Sequence, residues 1–193
     1  MGLHFGDRGN LAVSTGCPVV AKLKESRLMA LILQLTKKLL APPCPVAVDG
    51  VRLRHYQSAS DAEIWLELRR RAFARQKLGV GDWNADDFAR EFLQKTWWRP
   101  EAMWFAETDS TSLTASAVGT VTLARRGDTP EAPPAVHWLA VLPSWRRRGV
   151  GRLLITSLEA AVWETGQRQV WLETHAQWGE AAQLYESLGY GPA

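Results

Sequence analysis

The sequence predicts one α/β domain with a mixed, mostly antiparallel sheet and helices on its faces. Residues 103–107, 118–124 and 136–141 are consecutive strand patterns, which is typical of an antiparallel meander. A strand–helix–strand pattern over residues 136–173 indicates a parallel crossover. With 193 residues, 46% hydrophobic and 22% charged, the chain is long enough for one such domain and a tail.

The first 47 residues are predicted to be a poorly ordered extension, ahead of a domain at residues 48–193. Three prolines within residues 41–45 exclude helix and mark the boundary. The apolar run at residues 28–35 is far shorter than the ~20 residues that a membrane span needs. We interpret it as a short amphipathic helix, or as sequence outside the natural product, and expect no membrane partner.

Positive charge is concentrated in this extension. Residues 1–45 carry six basic and two acidic groups, a net charge of +4, which leaves −1 of the total of +3 for the rest. We therefore expect no nucleic-acid partner for the domain. Both cysteines, Cys17 and Cys44, also lie in the extension. A disulfide framework or a cysteine nucleophile in the domain is thus excluded, and a cytoplasmic location is expected.

Helix boundaries are predicted from capping residues. Ser60 with Glu63 three residues later matches a capping box, and Asn84 is a second N-cap. Gly166 and Gly189 stand where helices end in a left-handed residue. The predicted elements are a strand at 51–56, a helix from 60 to about 75, a short helix after 84, strands at 103–107, 118–124 and 136–141, a helix at 149–165, a strand at 168–173 and a helix at 179–188.

The segment 136–152 predicts an anion site. It joins an apolar strand, a proline turn, a basic loop and the start of an amphipathic helix. Amides of a first helical turn lack internal partners, and Gly149 and Gly151 let an anion approach the main chain. Four arginines add full positive charge: Arg146, Arg147, Arg148 and Arg152. A phosphate or pyrophosphate fits such a loop, and a solvated basic helix start is the alternative.

Two familiar phosphate motifs do not fit this loop. A P-loop needs Lys-Ser/Thr after the second glycine, and a dinucleotide fingerprint needs a third glycine. The order of strand, proline turn, Arg-x-x-Gly-x-Gly and helix instead resembles the acetyl-CoA loop of the Gcn5-related N-acetyltransferase (GNAT) superfamily. The resemblance covers roughly residues 48–190. Two motifs carry it: Arg146, Gly149 and Gly151, and then Ala181, Leu184, Tyr185, Gly189 and Tyr190.

The resemblance implies an acyl-CoA N-acyltransferase fold whose C-terminal strands look short or missing. It also implies transfer of an acetyl group from acetyl-CoA to an amine in a ternary complex, without a metal. Strands 136–141 and 168–174 would splay, and the pantetheine arm would pair with the main chain of Leu139 and Val141. Amides of the loop would hold the pyrophosphate: Arg146, Arg147, Arg148, Gly149, Val150, Gly151 and Arg152.

The resemblance also suggests catalytic residues. Tyr185 matches the tyrosine that often protonates the departing thiolate in this superfamily, and a core tyrosine is the alternative. Strand alternation places His137 on one face with Leu139 and Val141, where some aralkylamine acetyltransferases have a histidine for proton removal. An ordinary half-buried histidine is the alternative. Rival bases are Glu107, Glu173 and His175.

One residue departs from the superfamily pattern, because Trp178 stands where many members have Asn. The acceptor, a small-molecule or peptide amine, is expected near residues 73–83 and 95–98. An exposed sheet edge makes a homodimer possible. Two other hypotheses remain at this point: a non-catalytic acyl-CoA-binding module, and a nucleic-acid-associated protein that uses residues 146–148 and the basic extension.

Overall fold

The computed structural model describes residues 32–74, 82–109 and 116–193. The strands are β1 (Ile32–Lys38), β2 (Arg52–His55), β3 (Met103–Glu107), β4 (Ala117–Arg125), β5 (Pro134–Val141), β6 (Gln169–His175) and β7 (Gly191–Pro192). The helices are α1 (Ser60–Phe73), α2 (Ala85–Phe88), α3 (Val150–Glu164) and α4 (Gly179–Ser187). A π-helical turn, Ala89–Leu93, continues α2, and 3-10 turns lie at Pro100–Ala102 and Pro143–Trp145.

The described strands form one seven-stranded sheet in the order β2-β3-β4-β5-β6-β1-β7. Strands β2 to β5 are an antiparallel meander, and β6 runs parallel to β5 after the crossover through α3. Both features confirm the predicted mixed sheet. Strand β3 is buried along its whole length, so this part of the sheet is the centre of the core.

Helix α3 packs directly on the middle of the sheet, because Gly119 in β4 has no side chain to hold it off. A Cβ built on Gly119 would lie 3.0 Å from Leu154 Cδ1 and 3.1 Å from Val150 Cγ1. Both of these residues belong to the first two turns of α3. This close packing fixes the start of α3, and with it the basic loop, relative to the sheet.

The N-terminal prediction is wrong for residues 32–38, which form strand β1 instead of an amphipathic helix. All seven residues pair antiparallel with β6, from Ile32 opposite His175 onward. The sheet therefore begins well before residue 48. Periodicity does not separate a short apolar helix from a strand, and the partner strand lies more than 130 positions away. Residues 1–31 lie outside the described part of the chain.

Strand β1 also separates β6 from the short C-terminal strand. The two residues of β7 pair with Leu35 and Thr36 of β1. The N-terminal strand thus fills the position next to β6, beyond which β7 is the last strand of the described sheet.

Of the predicted helix ends, one was wrong and three are confirmed. Ser60 makes no capping bond; the carboxylate of Asp61 instead accepts from the amide of Gln57, at 2.6 Å. Asn84 forms the predicted cap, within a reciprocal capping box with Asp87. The C-terminal glycines of α3 and α4 adopt the predicted left-handed conformation, with φ of 81° at residue 166 and 88° at residue 189.

Candidate active site

Strands β5 and β6 separate along their length, as predicted. They pair only at Ala135 with Trp171 and at Val136 with Leu172. Both strands continue past these pairs, to Val141 and to residue 175. The continuing ends therefore enclose a gap that no described strand fills, and the basic loop follows directly from the β5 side of this gap.

A β-bulge in β5 lies beside the gap. The β4–β5 register passes from Thr122 opposite His137 to Thr120 opposite Ala140, so two residues of β5 face one of β4. Trp138, within the bulge, has a positive φ of 50°. A bulge re-aims side chains and bends its strand, which accounts for the divergence of β5 from β6.

The bulge overturns the strict alternation expected for His137. Its Nε2 lies 2.7 Å from Oε1 of Glu91, and the indole Nε1 of Trp138 donates to the same oxygen at 2.9 Å. The neighbouring side chains of His137 and Trp138 therefore reach one acceptor, instead of pointing to opposite faces. Because a carboxylate only accepts, Nε2 of His137 carries a proton and Nδ1 is the nitrogen left to act as a base.

Glu91 is the functional candidate that the sequence did not indicate. It lies in the π-helical turn after α2, an arrangement that often occurs at functional sites. Partial burial disfavours its charged form, but the hydrogen bonds from His137 and Trp138 outweigh this and lower the pKa of the Glu91 carboxyl. Nothing in the local spacing signals the contact, because its partners are 46 and 47 residues away.

The basic loop leads into α3 so that the first amides of the helix lack acceptors within it. Arg147 and Gly149 have positive φ angles of 61° and 89°. The first main-chain bond that closes α3 runs from the amide of Leu153 to the carbonyl of Gly149, at 2.9 Å. The amides of the preceding helical residues, Val150, Gly151 and Arg152, thus have no acceptor within the helix. This is the geometry expected of an anion site.

The second glycine of the loop borders the gap. A Cβ built on Gly151 would lie 3.0 Å from Leu184 Cδ2 in α4 and 3.9 Å from Val141 Cγ2 at the end of β5. The amide of Leu142 bonds back to Val118 in β4, so the main chain of Val141, one residue earlier, faces the other way. Val141 therefore presents its main-chain groups toward the gap, which is the orientation that contact with a pantetheine arm would require.

The side chain of Arg146 forms hydrogen bonds to other parts of the protein. Its guanidinium donates to the carbonyls of Val141 (3.2 Å) and Ala72 (2.9 Å) and to the carboxylate of Glu180 (3.2 Å). Its amide donates to the carbonyl of Pro143 at 3.4 Å. Arg146 thus ties the ends of β5 and α1 to the start of α4, whereas the exposed side chains of the other loop arginines remain available for an anion.

Tyr185 lies in α4 and is 6% exposed. Its ring is 5.8 Å from that of Tyr190, and burial raises the pKa of the Tyr185 hydroxyl. Trp178, at the start of α4, stacks on Phe73 at 5.6 Å. Its indole Nε1 is buried without an acceptor among the described residues. Trp178 thus places an indole N–H at the position where many superfamily members have Asn.

Two of the rival bases have other partners. The carboxylate of Glu107 is buried and accepts from Arg54 Nε at 2.8 Å. Glu173 accepts from Gln34 of β1 at 3.1 Å, on the side of β6 away from the gap. His175 ends β6, 5.7 Å from the ring of Trp178. Of the three, only His175 lies where the β5–β6 gap opens.

Aromatic rings line the surface beside Glu91. The guanidinium of Arg69 lies 4.2 Å from the ring centre of Trp83 and 5.0 Å from that of Trp138. Trp65 packs edge-on against Trp138, with 5.7 Å between ring centres. These aromatic side chains include part of the predicted acceptor region. Residues 75–81 of that region lie outside the described part of the chain.

Within the described ranges, no helix is long and apolar enough to cross a membrane, and no three acidic, histidine or cysteine side chains are grouped to hold a metal ion.

The fold agrees with comparisons to known proteins. Residues 99–192 match the family described as the acetyltransferase (GNAT) domain. A mycothiol acetyltransferase of Thermobispora bispora is 34% identical over 156 residues, which are 81% of this chain and 50% of that protein. The chain therefore spans about half the length of this relative.

Solved structures share the fold. A GCN5-related N-acetyltransferase of Sphaerobacter thermophilus superposes with a TM-score of 0.66 at 20% identity, over 89% of this chain and 53% of that one. The aminoglycoside N-acetyltransferase AAC(6')-Iy in complex with CoA gives a TM-score of 0.53 at 22% identity, over 76% and 90%.

Together, the bulged strand, the gap and the open loop define an acyl-CoA N-acyltransferase fold. The chain belongs to the GNAT superfamily of acetyltransferases.

Proposed function

We propose that this chain transfers the acetyl group of acetyl-CoA to an amine while both substrates are bound. The observation that carries the proposal is the gap between β5 and β6, which pair at two positions only, beside a helix start whose first amides lack acceptors within the helix. Superfamily membership supports the chemistry. We take the acceptor class to be an amine on a small molecule or a peptide, since relatives are named for mycothiol and for an alanine of ribosomal protein bS18.

The pantetheine arm would add to β5 as an extra strand. Main-chain groups of Leu139 and Val141 would pair with its amides. The carbonyl of Val141 already accepts from Arg146 Nε. The arm would therefore bond to the remaining main-chain groups, or displace this guanidinium contact. The pyrophosphate would lie on the amides of residues 147–152, and an amide in the bulge would polarise the thioester carbonyl.

His137 would remove the proton from the attacking ammonium group. With Nε2 bonded to Glu91, the imidazole accepts through Nδ1 and becomes a cation that the carboxylate stabilises. Glu91 would thus be a positioning residue, and its low pKa keeps it charged at neutral pH. The surrounding tryptophans would contact the cationic acceptor through their ring faces.

Tyr185 would act on the leaving group. Burial raises the pKa of its hydroxyl above the ordinary value near 10, well above that of a thiol, which is about 8.5. Complete proton transfer to the thiolate would be unfavourable for such a phenol. A hydrogen bond that strengthens as the thiolate forms is the better role, because the phenol then remains protonated throughout.

Acetyl-CoA turnover with a panel of primary amines and aminoglycosides, followed by thiol release, tests this proposal. We expect CoA release that depends on one class of amine. Tyr185→Phe should lower kcat and leave the affinity for acetyl-CoA nearly intact. Acetyl-CoA binding without turnover for any amine would favour the non-catalytic module, and absence of binding would refute both. Cys44 is a free thiol, which suits the cytoplasmic location that we propose.

A further inference from the structure

The backbone of Trp138 is held in a conformation that its side chain disfavours. Its φ of 50° lies in the left-handed region, where a bulky residue is rare. Such a conformation persists only where the surrounding contacts enforce it, and it occurs preferentially at functional sites. The contacts of the indole ring indicate what this conformation achieves.

The indole ring of Trp138 is packed on several sides, and helix α1 supplies most of the contacts. Trp65, Arg69 and Phe73 follow one another at four-residue spacing and so lie on one face of α1. The ring centres of Trp65 and Phe73 lie 5.7 Å and 6.1 Å from that of Trp138, and the guanidinium carbon of Arg69 lies 5.0 Å from it. The ring of Trp83 packs against the same indole at 5.0 Å. These contacts fix the direction in which the indole N–H points.

This N–H is the rigid member of a three-residue contact. It donates to Oε1 of Glu91 at 2.9 Å, and the same oxygen lies 2.7 Å from Nε2 of His137. The side chains of Glu91 and His137 are 30% and 35% exposed. A glutamate exposed to this extent retains rotamer freedom, and water competes for its oxygens. The packed indole therefore restrains the carboxylate more than the imidazole can.

We infer that Trp138 is a positioning residue whose indole anchors the Glu91 carboxylate, which thereby holds His137 as the Nε2–H tautomer with Nδ1 free for the acceptor amine. This role rests on the proposed function. Without the anchor, the carboxylate would turn toward water and the imidazole would distribute between its two tautomers. The charged groups around the carboxylate are the cations Arg69 and Lys95 and, beside Arg69, the acids Asp82 and Asp87. Replacing Trp138 leaves these charges in place, so its effect on Glu91 reports the lost hydrogen bond.

Imidazole ¹⁵N chemical shifts distinguish the two tautomers and test this role without any substrate. We expect the Nε2–H form at His137 in the wild-type protein and a mixture of both forms in Trp138→Phe, which keeps a ring and removes the N–H. The lost donor should also raise the pKa of the Glu91 carboxyl, measured by carbon NMR. Trp83→Phe is the matched control, because it removes another indole in contact with Trp138 and leaves both donors to Glu91 in place. It should keep the wild-type tautomer.

The wild-type protein provides a second measurement, which does not depend on the folding of Trp138→Phe. The indole proton resonance of Trp138 should move with pH in step with the Glu91 carboxyl, and this movement should disappear in Glu91→Gln. A resonance that stays constant while the carboxyl titrates would overturn the inference.

Kinetics separate an anchor from a general packing role. Trp138→Phe should lower kcat roughly tenfold with the KM for acetyl-CoA unchanged, and should add no further loss to Glu91→Gln. Additive losses would overturn the inference, because Trp138 would then act independently of Glu91. A wild-type tautomer and kcat in Trp138→Phe would also overturn it and leave the proposed function standing. Absence of turnover with every amine would refute the proposed function, while the NMR measurements would still decide whether Trp138 anchors Glu91.

Discussion

The ammonium group of Lys37 lies 2.7 Å from a carboxylate oxygen of Glu159 and joins strand β1 to helix α3. The side chain of Glu159 is 1% exposed, so the acid's half of this ion pair is almost completely removed from water. Lys37 also lies 5.7 Å from the ring centre of Tyr190. The N-terminal strand therefore supplies the cation for a buried acid of the helix that begins at the proposed cofactor loop.

Replacing Lys37 with Met should destabilise the fold, because Glu159 would remain buried without a cation. Breaking a buried pair from one side costs about 3–5 kcal/mol, and the partial exposure of Lys37 favours the lower end. Urea unfolding measures the free energy. Adding Glu159→Leu should restore most of the loss. A single variant as stable as the wild-type protein would show that β1 does not contribute to the domain through this pair.

Gly149→Ala should damage both stability and cofactor binding. A left-handed conformation costs a residue with a side chain about 1–2 kcal/mol, and the added Cβ would also press on Val48. Gly166→Ala is the matched control, because its φ of 81° is similar and no atom lies within 4 Å of the added Cβ. Chemical unfolding should show a loss for both variants. Acetyl-CoA affinity should fall only for Gly149→Ala, and an equal fall for both would contradict the assigned loop.

Acid should remove a stabilising contribution of the Glu91 carboxylate. Its pKa in the folded protein is below the ordinary value of 4.5. The charged carboxylate therefore contributes stability above pH 4.5 or so, and this contribution disappears as the pH falls through the lower, folded pKa. The stability difference between wild type and Glu91→Gln, measured by urea unfolding from pH 7 to pH 3, should shrink over that interval. A difference independent of pH would be inconsistent with the carboxylate's hydrogen bonds. Glu101→Gln, at an exposed acid, is the control.

His137→Gln should reduce kcat by a factor of about 10²–10⁴, the usual contribution of a positioned base, without changing acetyl-CoA affinity. Glu91→Gln should lower kcat less and alter its pH profile, because Glu91 acts through His137. His175→Gln serves as the control at the same end of the sheet. If that variant instead caused the larger loss, the base would be His175.

Much of this fold follows from local pattern. The meander, the crossover helix and the left-handed glycines at residues 166 and 189 depend on periodicity and turn chemistry within short windows. Strand β1 was missed because its pairing with β6 is long-range, and because Glu159, the partner of Lys37, lies 122 positions away in the sequence.

Some features of the site could likewise be predicted from the local sequence, and others could not. The loop glycines carry a local signal, since Gly149 occupies a left-handed position and Gly151 a closely packed one. The contact between Glu91 and His137 depends on a bulge and a π-helical turn, neither of which has a signature in the sequence. The use of Arg146 as a tie between three elements also needed coordinates, because its spacing alone is equally suited to a phosphate contact.

Hydrogen exchange with and without acetyl-CoA reports residue by residue on the main-chain amides that we propose hold the cofactor. We predict that acetyl-CoA slows exchange at residues 147–152 and at Val141, and leaves the amides of β2 and β3 unchanged. If saturating acetyl-CoA binds without protecting the loop or the end of β5, the cofactor does not lie on the loop and in the gap between β5 and β6.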